Sequence, residues 1–115
     1  MPGKAMRQWA NAGYVPGRFG TWGVMGPFVV VEVAGSQVTV RLRPKFLARL
    51  LAVAPLIAEP GNGLTVTVKQ GRPWGWYIEF QLSDRPPYSF MAESRGEAQW
   101  VLSCLEDAGF EVPDL

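Results

Sequence analysis

The alternation of apolar and polar positions is clearest between residues 28 and 42. Residues 28–33 form a nearly continuous apolar run rich in β-branched side chains, which is typical of a strand with both faces covered. After a turn signal at 34–36, apolar residues return at every second position, at Val38, Val40 and Leu42. We therefore predict a β-hairpin over residues 28–42, ended by Pro44, whose second strand has one face in water.

Residues 46–53 lie in an apolar stretch with a different spacing. Apolar side chains recur there at helical intervals, at Phe46, Leu47, Leu50, Leu51 and Ala54, with Arg49 outside them. This spacing predicts a short helix within residues 45–54. A strand is the alternative that the pattern leaves open, because a short apolar run fits both structures.

Three further runs alternate with period two, and turn signals at 60–63, 71–73 and 83–87 separate them. Glycine, proline, asparagine and aspartate at such positions favour tight turns. We predict strands over residues 64–69, 76–82 and 88–93.

The last element is a helix with start and stop signals of its own. Ser94 and Glu97 match a capping box, in which the serine hydroxyl accepts the amide proton of the glutamate. Apolar residues then follow helical spacing, and Gly109 stands where a left-handed cap belongs. We predict a helix over 95–108 that packs Leu102 and Leu105 against the sheet.

The first 26 residues show neither the two-residue period of a strand nor the spacing of a helix. Glycine recurs at every third residue from Gly17 to Gly26, a run far too short for a collagen-like repeat. We predict an irregular segment over residues 1–26 lying against a single domain of residues 27–115. Buried aromatic rings would anchor this segment, at Trp9, Tyr14, Phe19 and Trp22.

Together these elements predict an α+β fold. Short strands joined by tight turns indicate a strongly bent antiparallel sheet or a partly open β-barrel, capped by one C-terminal helix. The length of 115 residues suits one domain.

This layout resembles the pleckstrin-homology-like superfold, particularly its short bacterial versions. The resemblance is architectural, covers about residues 27–112 and rests on the 28–42 hairpin, the strands 76–80 and 88–90, and the ending 97–110. It implies a binding scaffold, sometimes for phosphoinositides and often for protein partners. The lipid-binding members carry basic residues in the first hairpin loop, whereas residues 34–37 here read Ala-Gly-Ser-Gln, which weighs against inositide binding.

The residue inventory disfavours catalysis. The chain has no histidine and one cysteine, Cys104, so the commonest general base and metal ligand is missing. Glu106 and Asp107 stand close to Cys104 in sequence, and nearby carboxylates would make its thiol less reactive. We expect no enzyme activity, no metal and no small-molecule cofactor, with Cys104 as a buried structural residue.

The cellular location is predicted from two features. No signal peptide pattern opens the chain, and its longest apolar stretch is too short to span a bilayer. A single cysteine fits a reducing compartment. We expect a soluble, cytoplasmic protein.

Charge divides unevenly along the chain. Residues 1–58 carry a net charge of +6 and residues 59–115 one of −5. Either the two halves neutralise each other across their contact, or the first half forms a basic binding face. Arg41 and Arg43 share the outward face of one predicted strand, and Arg18 and Trp22 would join them if the N-terminal segment crosses there.

These features favour a non-enzymatic binding module for a protein partner or for self-association. The candidate binding residues are Arg18, Trp22, Arg41, Arg43 and Trp74. Trp74 stands at a turn, and tryptophan and arginine are enriched at the centres of protein interfaces. The alternative is a basic face that binds nucleic acid or an anionic membrane surface. Nucleic acid is disfavoured because the sequence pI is about 7.9, below that of typical nucleic-acid binders.

Overall fold

The structure is a computed structural model that describes residues 6–9, 12–17, 20–25, 28–71, 75–82 and 85–114. Within these ranges the chain forms nine strands and two helices. The strands are β1 Met6–Trp9, β2 Ala12–Gly17, β3 Gly20–Met25, β4 Val29–Ala34, β5 Gln37–Leu42, β6 Leu56–Ala58, β7 Thr65–Gly71, β8 Gly75–Gln81 and β9 Tyr88–Ala92. The helices are α1 Lys45–Leu51 and α2 Arg95–Asp107.

The strands form two antiparallel sheets. One has the order β1-β4-β5-β6 and the other the order β3-β2-β9-β8-β7. The two sheets do not close into a barrel within the described residues, and their apolar faces share a core with α2. The predicted α+β class with a C-terminal helix is therefore confirmed.

The predicted hairpin is β4 and β5. Val31 pairs with Val40 and both are fully buried, whereas Thr39 and Arg41 on the other face of β5 are partly exposed. This is the half-buried strand that the alternation predicts. The predicted strands at 64–69, 76–82 and 88–93 correspond to β7, β8 and β9.

The prediction that residues 1–26 are irregular is wrong for the part that the structure describes, because β1, β2 and β3 lie there. Strands β2 and β3 form a hairpin in which glycine interrupts the alternation of apolar residues. On its core side Gly13 pairs with Val24, and Val15 pairs with Trp22. A side chain at Gly13 would not fit, since its Cβ would come within 2.3 Å of the Ser89 carbonyl oxygen. Close approach between β2 and β9 therefore needs glycine at a position where sequence reasoning looks for an apolar residue.

The predicted anchoring of this segment by buried rings is also wrong where it can be checked. Tyr14 is 47% exposed and Trp22 is 37% exposed. The Tyr14 ring lies on the outer side of its sheet, 6.0 Å from the ring of Tyr77. Trp9 and Phe19 lie outside the side chains that the structure describes.

After β5 the chain forms α1, so of the two structures that the sequence allowed for this segment the helix is the one observed. The short strand β6 follows and pairs with β5 through Leu56 opposite Val40. Its three residues stand between Pro55 and Pro60 and are too few to show a period.

The C-terminal helix is confirmed, and so are the signals predicted at its two ends. The Ser94 Oγ accepts a hydrogen bond from the Glu97 amide at 3.1 Å, and Gly109 takes a φ of 101° just after the helix. Leu105 is fully buried and Leu102 nearly so. Among the described residues, no helix has the length and apolar character needed to cross a bilayer.

Candidate functional site

Helix α1 exposes apolar side chains that the fold does not use. None of its residues is buried, and Phe46 and Leu50 are 71% and 68% exposed. Residues four apart lie on the same side of a helix, so these two side chains form one apolar ridge, here called the α1 ridge. Leu47 and Leu51 turn toward the protein and pack against the core. An exposed apolar ridge beside charged residues is typical of a contact surface.

A cavity of about 560 Å³ opens beside this helix. Four of the residues that line it are cations, and they come from the end of β5 and from α1: Arg41, Arg43, Lys45 and Arg49. The remaining lining residues are apolar or proline, among them Pro44, Ala48 and Val53. The cavity therefore combines an apolar wall with a basic rim.

The four cations differ in their partners. The Arg41 guanidinium donates to the Glu32 carboxylate, which also lies 3.4 Å from the Nε of Arg7. Glu32 is the one acidic residue of the first 58, and its carboxylate is paired with Arg41 and Arg7 on the two neighbouring strands. Neither Lys45 nor Arg49 has an ion-pair partner among the described residues.

Arg41 is held more rigidly than a surface arginine. Its side chain is 32% exposed, and its Nε is buried without a hydrogen-bond acceptor among the described residues. An ionised partner on the neighbouring strand and a buried stem both restrict its rotamers. Arg41 is therefore part of the cavity wall rather than a mobile surface charge.

Backbone hydrogen bonds position the cavity at the end of β5. The Arg43 amide donates to the Phe28 carbonyl at 2.7 Å, and the Arg43–Pro44 peptide bond is cis. Helix α1 follows at once, and its last turn closes when the Val53 amide donates to the Ala48 carbonyl at 2.8 Å. Ala52 takes a left-handed conformation there, with φ 55°.

A tyrosine ties the far wall of the cavity to the other sheet. The Tyr88 hydroxyl of β9 donates to the carbonyl oxygen of Ala54, which lies between the lining residues Val53 and Pro55. Burial raises the pKa of Tyr88 above its usual value, and the nearby Arg85 opposes part of that rise. The phenol is therefore neutral and remains a hydrogen-bond donor at physiological pH.

Trp22 comes close to this site. It pairs with the buried Val15 and so starts from the core side of β3. A Cβ added at Gly17 would be 3.0 Å from both Trp22 Cδ1 and Val53 Cγ2. The tip of the β2–β3 hairpin therefore lies against the wall of the cavity, beside the segment that follows α1.

The structure thus brings two of the five predicted binding residues into one cavity wall and places a third nearby. Arg41 and Arg43 line the cavity, whereas Trp22 lies outside the lining, on the other side of Gly17 from Val53. Arg18 and Trp74 lie outside the described residues. The predicted set lacks the ridge residues Phe46 and Leu50 and the cation Arg49. The sequence did contain one signal for a basic helix face, because a helix over residues 45–51 places Lys45 and Arg49 four apart.

Cys104 lies apart from this surface, on the buried side of α2.

No known protein family matches the chain, and no characterised protein or solved structure shows significant similarity to it.

Proposed function

We propose that this chain is a non-enzymatic module that binds an acidic protein surface through α1 and the cations beside it. The observation that carries the proposal is the exposure of Phe46 and Leu50 next to Lys45 and Arg49. Two large apolar side chains on one exposed helix stripe supply contact area, and the flanking cations select an acidic partner.

The rest of the fold supports a scaffold role for the module. Two antiparallel sheets with a C-terminal helix are compatible with a pleckstrin-homology-like architecture, and we include that assignment in the proposal. Burial of Cys104 to 4% exposure argues against a nucleophilic thiol. A single cysteine also supports the proposed cytoplasmic location.

The anionic membrane surface is the second candidate, and the same ridge favours it. Phe46 and Leu50 could insert between lipid headgroups while Lys45 and Arg49 contact anionic lipids. A protein partner is favoured because α1 has only seven residues and exposes two large apolar side chains, which is little apolar area for insertion into a bilayer. Nucleic acid is less favoured because Glu32 neutralises Arg41 on the strand face.

The test begins with capture of partners from the native cell by the immobilised chain, followed by direct titration of each purified candidate. We expect the double variant Phe46→Ala/Leu50→Ala to weaken binding by about tenfold or more, which is about 1.4 kcal/mol. Replacing Lys45 and Arg49 by Ala should weaken binding and reduce its dependence on salt. The matched control is Trp100→Ala, since Trp100 is an exposed aromatic residue on α2.

The outcomes separate the candidates. A partner that binds both α1 variants as tightly as the unaltered chain would overturn the proposal. Sedimentation at several protein concentrations decides whether the partner is a second copy of the chain. Binding to phosphatidylserine vesicles that the Phe46→Ala/Leu50→Ala change abolishes, with no protein partner, would replace the proposal by the membrane alternative.

A further inference from the structure

We infer that the cavity beside α1 is a binding site for a small organic carboxylate, a ligand that joins one carboxylate group to an apolar body. The apolar part of the protein surface proposed above lies outside this site, because Phe46 and Leu50 do not line the cavity, whereas Lys45 and Arg49 belong to both. The inference therefore does not depend on α1 having a protein partner.

The charge of the cavity points to an anion. Its rim carries Arg41, Arg43, Lys45 and Arg49, and no acidic residue is found among the described residues that line it. Glu32 pairs with Arg41 from outside the lining, while Lys45 and Arg49 have no described ion-pair partner. Cations held close together in a partly enclosed site attract an anion more strongly than isolated surface charges do.

The walls of the cavity indicate what is attached to that anion. Pro44, Ala48, Val53 and Pro55 provide an apolar surface together with Leu42. A polyhydroxylated or multiply phosphorylated ligand would bury polar groups against these residues without hydrogen-bond partners, which is unfavourable. An aromatic or aliphatic body suits them, and a volume of about 560 Å³ lies within the usual range for small-molecule sites.

The fold holds part of this site in place. Glu32 orients the Arg41 guanidinium from the neighbouring strand, and Tyr88 fixes the Ala54 carbonyl behind the opposite wall. Preorganised groups lose little conformational freedom when a ligand binds. The Arg43 backbone is fixed too, through its hydrogen bond to Phe28.

Titration with a probe series tests the inference, using the full chain and nuclear magnetic resonance or calorimetry. The probes are 3-phenylpropionate, its neutral analogue 3-phenylpropanol, phenyl phosphate, and acetate as the bare head group. We expect 3-phenylpropionate to bind roughly tenfold more tightly than the alcohol, because a charge-assisted hydrogen bond is lost. Acetate should bind more weakly than 3-phenylpropionate, because it has almost no body to contact the apolar wall.

Two variants locate the binding site. Ala48→Leu fills the cavity without changing charge and should abolish saturation by 3-phenylpropionate, with circular dichroism confirming the fold. Lys45→Ala/Arg49→Ala should reduce affinity for 3-phenylpropionate to that of the alcohol. Lys69→Ala is the matched control, since Lys69 lies on β7 outside the cavity, and it should leave the affinity unchanged.

Three results would overturn the inference: no saturable binding of 3-phenylpropionate, equal affinity for the neutral alcohol, or unchanged binding in folded Ala48→Leu. Tighter binding of phenyl phosphate than of 3-phenylpropionate by tenfold or more, on the scale of one charge-assisted contact, would overturn the carboxylate assignment. The variant Phe46→Ala/Leu50→Ala separates this site from the proposed protein surface. Loss of protein binding with retained 3-phenylpropionate binding supports both proposals, and the opposite pattern contradicts both.

Discussion

The two helices that the structure describes differ in how much of their apolar surface is buried. Helix α2 has 13 residues, a side-chain N-cap at Ser94 and five buried residues. Helix α1 has seven residues, no side-chain hydrogen bond at its N-cap Pro44 and no buried residue. Both sequences have apolar residues at helical spacing, so the spacing alone does not reveal whether a helix stripe faces the core. The difference shows that α2 contributes far more to the core than α1, and it is the basis for the proposal that α1 is a contact surface.

The largest expected effect comes from truncating a core leucine of α2. Leu105→Ala should lower the free energy of unfolding by about 2–5 kcal/mol, because it leaves a cavity in a fully buried site. Leu50→Ala on α1 should change it by about 0.5 kcal/mol or less, since that side chain is mostly exposed. Urea denaturation of both variants measures the contrast, and similar losses for the two would contradict the division between the helices.

The next effect separates two arginines of the cavity. Arg41→Glu should cost about 1–3 kcal/mol of unfolding free energy, because it removes a partner of Glu32 and places a second carboxylate diagonally across from it on the neighbouring strand. Arg49→Glu should stay within about 0.5 kcal/mol, since Arg49 is exposed on α1. Thermal denaturation at low and high salt provides the measurement. If Arg41→Glu leaves the free energy of unfolding unchanged, the Arg41–Glu32 pair has no structural role.

A smaller effect concerns the hydrogen bond that the Tyr88 hydroxyl donates to the Ala54 carbonyl oxygen. Tyr88→Phe should cost about 0.5–1.5 kcal/mol, the usual net contribution of one hydrogen bond. The raised pKa of Tyr88 also has a pH signature, because the folded protein favours the neutral phenol. This contribution is complete below the ordinary tyrosine pKa of 10.0 and is lost as the pH rises from there through the folded-state value.

The pH signature provides its own control. Unfolding free energies measured from neutral pH to above 10.0, the ordinary tyrosine pKa, should fall more steeply for the unaltered chain than for Tyr88→Phe. Tyr77→Phe is the matched variant, because Tyr77 is a partly exposed tyrosine of the neighbouring strand. Identical alkaline profiles for the unaltered chain and Tyr88→Phe would exclude a stabilising role for the neutral phenol.

The smallest effect is a stabilisation at the end of α1. Ala52 is exposed and adopts a left-handed conformation, with φ 55°, which disfavours residues other than glycine. Ala52→Gly should raise the unfolding free energy by up to about 1 kcal/mol, since relief of strain exceeds the added chain entropy of glycine. Thermal denaturation checks the sign, with Ala54→Gly as a control at another exposed alanine. A lower melting temperature for Ala52→Gly would contradict this account of the α1 terminus.

Much of the fold was predictable because its signals are local. Alternation in β5 and β8 and the capping of α2 by Ser94 and Glu97 depend on neighbours in sequence. The candidate site was predictable only in part. Arg41 and Arg43 follow from the period of one strand, whereas their grouping with Arg49 around a cavity depends on the packing of α1.

By itself the sequence determined the α+β class, the β4–β5 hairpin and the C-terminal helix, because hydrophobic period and capping act over a few residues. Only the tertiary structure decided that the glycine-rich start forms strands, because Gly13 is selected by a backbone that approaches from β9. It alone decided that Phe46 and Leu50 face outward. Whether an apolar helix stripe is buried depends on which other elements reach it, and no pattern within α1 contains that information.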